Sequence, residues 1–562
     1  MNVDVVVVGS GAGALVAAAV AAAGGAEVVV LEKSSRLGGG SALSTGLIFA
    51  PNSEQMREAG IEDSPADALR YLSRLNGGIA PTERLETFLA TQRALLDWLA
   101  METSMRFRVI PDLPDFHPEF EGGSAGGRHL AAEPFDGQLL GEWADRTRRS
   151  QSLPLTYYEI EEMGGPAKVK DWDFELIAER IGADVRAQGA AIVAPLVAEC
   201  LRRGVSLRTD AAVTSLLTDD GRVSGVEIGR GDAAERINAR RAVILGTGGF
   251  EWDEAMNRQF LGVPLAGPLT VPSNEGDGHR MAMRRGAGLS MMQEAVWSPV
   301  LHVPGEEYDG RPYWRNLASE KGRPHSLMVN RAGFRFGNEN LNYVDIGQAF
   351  RVFDASRHEF PNLSAFLVFD SAYKSTYPVA TAMPGEGAPQ WMAEASSLRG
   401  LAAELGVDPS NLERTVGRFN GFAASGRDED FGRGGTSFER YYGDAANSGP
   451  NPTLGALDQP PYYAVPVELG SFGNRGGVTA ADDGQVLDVD GRPIAGLYAC
   501  GNTMAQTVLG QGYEGGGTLA QSTAYGFAAG RAAVAGRAAT NGRPASRART
   551  GVTRRAAVAG RS

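Results

Sequence analysis

The chain has 562 residues and a mass of 59.4 kDa, and its 43% hydrophobic and 22% charged residues exclude wholesale disorder and fit two or more folded domains. With 67 acidic against 54 basic residues, a net charge of -13 and a pI near 5.2, the surface repels phosphate backbones, which excludes general nucleic-acid binding. Two cysteines, Cys200 and Cys500, cannot build a disulfide framework, and the His and Cys residues show no metal-ligand spacing, so no metal is expected.

A strand begins at Val3 with no charged and apolar leader before it, and no run reaches the roughly 18 apolar residues of a membrane span. The sequence thus reads as cytoplasmic, at most peripheral at a membrane. VDVVVV (3–8) has the β-branched composition of a buried parallel strand. It enters GSGAGA (9–14), then the Ala-rich helix former LVAAAVAAA, and AEVVVLEK (26–33) supplies a second strand ending in Glu32 and Lys33. Strand, Gly-rich turn, helix, strand and acid in that order form a dinucleotide fingerprint. Gly9 makes the tight turn, Gly11, Ala12 and Gly13 bring backbone to a pyrophosphate, Ala14 packs helix on strand, and Glu32 accepts the ribose hydroxyls.

LGGGSALSTG (37–46) follows where a nicotinamide enzyme starts its next helix. Gly39, Gly40, Ser41, Ala42, Ser44 and Gly46 suit a loop wrapping a pyrophosphate and a ribityl chain. Residues 104–170 read as an irregular excursion. RRAVILGTGGFEWD (240–253) repeats the strand and Gly-rich turn, offering Thr247 and Gly248, and Asp277 in NEGDGHRMA (274–282) caps a helix close by. GLYACGN…GYEGGGTLAQSTAYGFAAG (496–530) is a third such turn before a closing helix, with Gly501, Asn502, Gly517, Thr518 and Leu519 toward the cofactor. The last residues, 538–562, hold arginines, no acid and mainly small residues, the composition of a disordered basic tail.

GGGSALSTG, GTGGF and GLYACGN…GYEGGGTL together resemble the fumarate reductase/3-ketosteroid dehydrogenase superfamily of FAD enzymes, over roughly Val3 to Ala535. The resemblance implies an α/β fold: a Rossmann-like FAD-binding domain split in sequence (1–290 and 453–537) with an inserted α+β substrate-capping domain (291–452). It also places Val213 beside the cofactor. FAD is expected to be noncovalent, since the early loop has Ser41 and no histidine.

Fumarate reductases carry a proton-donating arginine where NRAGFRFGNENLNYVD (330–345) has Tyr343, and a dicarboxylate-binding arginine where GQGYEGGGTL (510–519) has Tyr513. SFGNRGGV (471–478) has Phe472 and Gly473 where they place a histidine. Dicarboxylate chemistry is therefore disfavoured. Tyrosines at 343 and 513 are those of 3-ketosteroid dehydrogenases, which implies Tyr343 as the base for an α-proton, with Tyr513 and the Gly517 N–H holding the carbonyl oxygen.

One departure is Phe116 in PDFHPEF (114–120), where Δ1-dehydrogenases of this family have a second tyrosine; His117 beside it is a substitute. Phe116, His117 and Trp297 are expected in the substrate pocket, with His302 and Trp314 near it. The expected substrate is a small hydrophobic ketone, first a 3-oxosteroid (Δ1- or Δ4-type) and alternatively a smaller cyclohexanone-type ketone, with an external electron acceptor. The reverse enone reductase uses the same motifs, and a catalytically silent flavoprotein is the reading from another class.

Overall fold

The computed structural model describes residues 1–165, 168–229, 231 and 234–535. The tail expected at 538–562 lies outside the described residues. The valines of β1 (Asn2–Val8) are buried on both faces, as a central parallel strand demands. Helix α1 (Ala12–Ala23) follows, then β2 (Val28–Leu31), parallel to β1 with Val5 opposite Val28. After the excursion and α2 (Gly189–Arg202), β3 (Ser206–Arg208) extends the sheet beside β2. An antiparallel hairpin, β4 (Val213–Asp219) and β5 (Arg222–Ile228), leads into β6 (Glu235–Leu245), which runs parallel to β1 on its other side.

The chain then builds a second, largely antiparallel sheet from β7 (Ala295–Tyr308), β8 (Ser326–Asn330), β9 (Ser364–Asp370) and β10 (Tyr462–Asn474), ordered β7-β10-β9-β8. Alternation along β8 assigns its faces: Leu327 and Val329 pack against the helix Pro409–Ser425, and Met328 joins the large common core. Helix α3 (Tyr343–Phe350) lies on this inner side. The chain finally returns to the first sheet with β11 (Gln485–Leu487) and β12 (Pro493–Ala499), the latter parallel to β6, and ends on α4 (Gly517–Val534). Helix α4 crosses α1 closely: a Cβ on Gly526 would meet the Gly13 carbonyl oxygen at 2.1 Å, so only glycine fits there.

The fold is thus α/β, with a parallel sheet assembled from both ends of the chain. The second sheet reaches beyond 291–452, because its central strand is β10 and Gly267–Pro268 pairs with that strand. Sequence rhythm marked only the interior of the insertion; the flanking strands carry no turn signal that separates them from the first sheet. Among the described residues no helix is long and apolar enough to cross a membrane.

Candidate active site

A cavity of about 360 Å³ opens at the carboxyl ends of β1, β2 and β6, the place where open α/β sheets bind ligands. Gly9 closes β1 at φ +97°, and a Cβ there would stand 2.2 Å from the Gly246 oxygen at the end of β6. The N-terminus of α1 opens here, with Gly11 as its cap residue and no side-chain cap, leaving backbone donors for an anion. Ser41 folds the next loop over this turn by accepting from Ala12 N–H at 3.0 Å. Glu32 is 6% exposed at the end of β2, held by Ser10 Oγ at 2.6 Å and Ser34 N–H at 2.9 Å. Lys33 is paired with Asp277 at 2.7 Å and Glu275 at 2.8 Å.

The second and third Gly-rich turns are tied together, Thr247 N–H donating to Thr503 Oγ1 at 2.8 Å. An uncapped helix terminus, a glycine cradle and a buried carboxylate suit a pyrophosphate and a ribose, so the residues present fit FAD. Gly9, Gly11, Gly13, Ala14, Glu32, Lys33, Gly39, Gly40, Ser41, Ser44, Val213, Thr247, Gly248, Asp277, Gly501, Asn502, Thr518 and Leu519 all line the cavity. Ala12, Ala42, Gly46 and Gly517 do not. Ala12 and Ala42 are fully buried beneath the wall, a Cβ on Gly46 would strike the Gln188 backbone at 2.4 Å, and one on Gly517 would strike Leu509 at 2.5 Å. Their small size serves packing.

At the other end the wall is aromatic. Tyr343 is the first residue of α3, whose cap Asn342 accepts from the N–H groups of Val344 and Asp345. Its ring meets Phe116 edge-on at 5.5 Å, Phe472 at 5.2 Å and Tyr513 at 6.0 Å, and Phe438 stands 5.0 Å from Phe116. The Tyr343 and Tyr513 rings stand 6.0 Å apart, which brings their hydroxyls near one another. Tyr513 bonds Thr518 Oγ1 at 3.0 Å, and Thr518 donates to Gln506 Oε1 at 3.3 Å. Since Thr518 has spent its proton on Gln506, the chain of donation runs Tyr513, Thr518, Gln506, and the Tyr513 oxygen is left as an acceptor toward Tyr343. Burial pushes Tyr343 well above the usual phenol value and also raises Tyr513.

The loop carrying Tyr513 rests on Glu514, which accepts from Phe116 N–H at 2.9 Å and Gly515 N–H at 2.7 Å, from Tyr71, and from His129 at 3.1 Å. Burial lowers His129, but the Glu514 carboxylate outweighs it and the net shift is upward. Arg475, fully buried, lies over the Tyr513 ring at 5.7 Å and donates to the Gly510 oxygen at 2.6 Å, while its Nε and Nη1 have no partner. It brings positive charge beside the hydroxyl that would face a carbonyl.

Two expected pocket residues lie outside the cavity wall. His117 bonds Asp345 at 2.9 Å and Glu119 at 3.1 Å. Burial lowers its pKa, yet the two carboxylates raise it to about 10, so it is an imidazolium at neutral pH and cannot assist as a base. Trp297 is fully buried against Gly347 of α3, where a Cβ would come within 2.5 Å, and supports that helix from behind. His302 and Trp314 lie against each other with tilted rings, centroids 5.3 Å apart, also outside the wall. The Gly517 N–H donates to the Glu514 oxygen at 3.0 Å, so it is engaged within the turn. Sequence reasoning passed over Phe438 and Lys321, lone side chains without a motif, and over Arg475 and Glu514, which sit inside quoted motifs but beside the residues read there.

Residues 4–519 match the family described as "FAD binding domain". The chain is 42% identical to 4-oxocyclohexanecarboxylate 2-dehydrogenase of Sinomonas cyclohexanicum, covering 94% of this chain and 92% of that one. It is 35% identical to 3-oxosteroid 1-dehydrogenase of Mycobacterium tuberculosis, covering 94% and 97%. The crystal structure of 3-ketosteroid Δ1-dehydrogenase from Sterolibacterium denitrificans with 1,4-androstadiene-3,17-dione superposes with a TM-score of 0.88 at 34% identity, over 95% of this chain and 99% of that one.

Proposed function

The chain belongs to the FAD-dependent 3-ketosteroid dehydrogenase family, and we propose on that premise that it introduces a double bond α,β to the carbonyl of a monocyclic, cyclohexanone-type ketone. Bound FAD supplies the acceptor for the β-hydride. The protein's own residues handle the α-proton. The observation that carries the reading is the run of hydroxyls from Tyr343 to Thr518 inside an aromatic box. A ketone oxygen taking the place of Thr518 Oγ1 receives the Tyr513 proton, Tyr513 takes the proton of Tyr343, and Tyr343 Oη takes the substrate α-proton. The α C–H bond breaks, the carbonyl oxygen gains O–H, and neither tyrosine has to exist as a free tyrosinate, which its burial opposes. Arg475 favours the negative charge that develops on that oxygen. Once the β-hydride has left, the O–H proton passes back to Tyr513 and from there to solvent, so the substrate loses one hydride and one proton in all.

Phe438 and the Tyr157–Tyr442 hydroxyl pair, 2.9 Å apart, line the same cavity, and one ring over four is favoured by the higher identity to 4-oxocyclohexanecarboxylate 2-dehydrogenase, 42% against 35% for 3-oxosteroid 1-dehydrogenase. The inserted second sheet, with α3, serves as the substrate-capping part. The experiment is anaerobic bleaching of the flavin by cyclohexanones and by 3-oxosteroids. Cyclohexanones are expected to exceed steroids by about 10²-fold in kcat/KM. Better turnover of steroids moves the assignment to that class, and no bleaching by any ketone overturns the site. Reoxidation of reduced enzyme by the enone, faster than bleaching by the ketone, assigns the reductase direction.

The flavin is expected to be noncovalent. The loop at 37–46 offers Ser41, Ser44 and Thr45, and both cysteines are buried off the wall with thiols pushed up to about 12. Acid precipitation should leave yellow flavin in the supernatant; flavin in the pellet contradicts this.

A further inference from the structure

We propose that Lys321 anchors an anionic substituent, a carboxylate, on the ring ketone, so that the substrate is an oxo acid. This rests on the monocyclic-ketone reading above. Lys321 is 2% exposed, yet its side chain forms part of the cavity wall together with Leu341 and Tyr343. Its Nζ donates to the Leu341 oxygen at 2.6 Å, which uses one of three donors. Among the described residues no carboxylate makes an ion pair with it, although Glu320, Glu339, Glu439 and Arg433 all face it. Glu339 is taken by Arg335 at 2.6 Å and by Arg433, and Glu439 accepts the Gly434 and Gly435 N–H groups. A buried ammonium without a counter-ion is unfavourable, and a carboxylate carried in by the substrate supplies both the charge and the acceptors.

The geometry ties the anchor to the chemistry. The carbonyl that holds Lys321 belongs to Leu341, two residues before Tyr343, so one short segment presents the ammonium and the proton acceptor to the same chamber. Lys321 and Tyr513 line the same cavity, which suits a compact ring with a ketone at one end and a carboxylate at the other. A neutral polycyclic ketone would bury Lys321 unpaired. Burial, with Arg433, pushes the Lys321 ammonium down to about 7, so the anchor is charged below that pH and loses its proton above it.

The test compares a cyclohexanone bearing a 4-carboxylate with its methyl ester, on wild-type holoenzyme and on Lys321→Met. Wild type is expected to prefer the acid by about 10²-fold or more in kcat/KM, with kcat/KM for the acid falling above pH 7 while that of the ester stays flat. Lys321→Met should cost the acid about 10²-fold more in kcat/KM than it costs the ester, with the acid's excess loss in KM. Equal use of acid and ester by wild type, a comparison that needs no variant, overturns the anchor while the ketone reading stands. An equal loss on both compounds in Lys321→Met makes the residue structural and likewise overturns it. Turnover of 3-oxosteroids with neither cyclohexanone accepted sinks the monocyclic reading itself.

Discussion

Tyr343→Phe is expected to bind ketone normally and to lose about 10²–10⁴-fold in kcat, the usual cost of removing a general base. The ring keeps its edge-on contact with Phe116 and its packing on Phe472, so the box holds its shape. What disappears is the hydroxyl proposed to take the α-proton and to pass its own to Tyr513. The neighbours cannot replace it. Phe116 has no proton to relay, and His117 is held as an imidazolium by Asp345 and Glu119. Stopped-flow bleaching of the flavin by saturated ketone measures the step directly. Wild-type bleaching rates in this variant would move the proton acceptor elsewhere in the cavity.

The first 50 residues were legible because a period-breaking Gly-rich turn between a β-branched strand and an Ala-rich helix has few other uses. Glu32 stands at a fixed place relative to that turn, and backbone geometry brings it to the cavity. Tyr343 and Tyr513 were legible only through resemblance, since a lone tyrosine carries no signal of its own. The sequence was silent on what surrounds them. Glu514 and His129 lie 385 residues apart, and Glu339 and Glu439 near Lys321 are already bound elsewhere. No local pattern announces such meetings. His117 misled for the same reason: its neighbours in sequence suggested a stand-in base, while its decisive partner, Asp345, comes from α3. Gly517 misled because glycine at a helix start reads equally as a free donor and as a packing contact against Leu509.

Tyr513→Phe is expected to fail differently from Tyr343→Phe. Tyr513 stands in the loop before α4, bonded to Thr518 Oγ1 and with the Arg475 guanidinium against its ring. Its hydroxyl is the proposed donor to the enolate oxygen, and losing one oxyanion donor costs about 10²–10³-fold, mainly in kcat. It also removes the group that accepts the Tyr343 proton, so the two losses are coupled: the double variant should be little worse than the poorer single one. The separating measurement is binding of a substrate-like phenol, whose ionised form mimics the enolate. Tyr513→Phe takes away a hydrogen bond to that oxygen, whereas Tyr343→Phe leaves it in place, so affinity should fall distinctly only in the former. Equal weakening in both variants would mean that the carbonyl lies between the two hydroxyls rather than on Tyr513, and would end the relay from Tyr343 through Tyr513 to the oxygen.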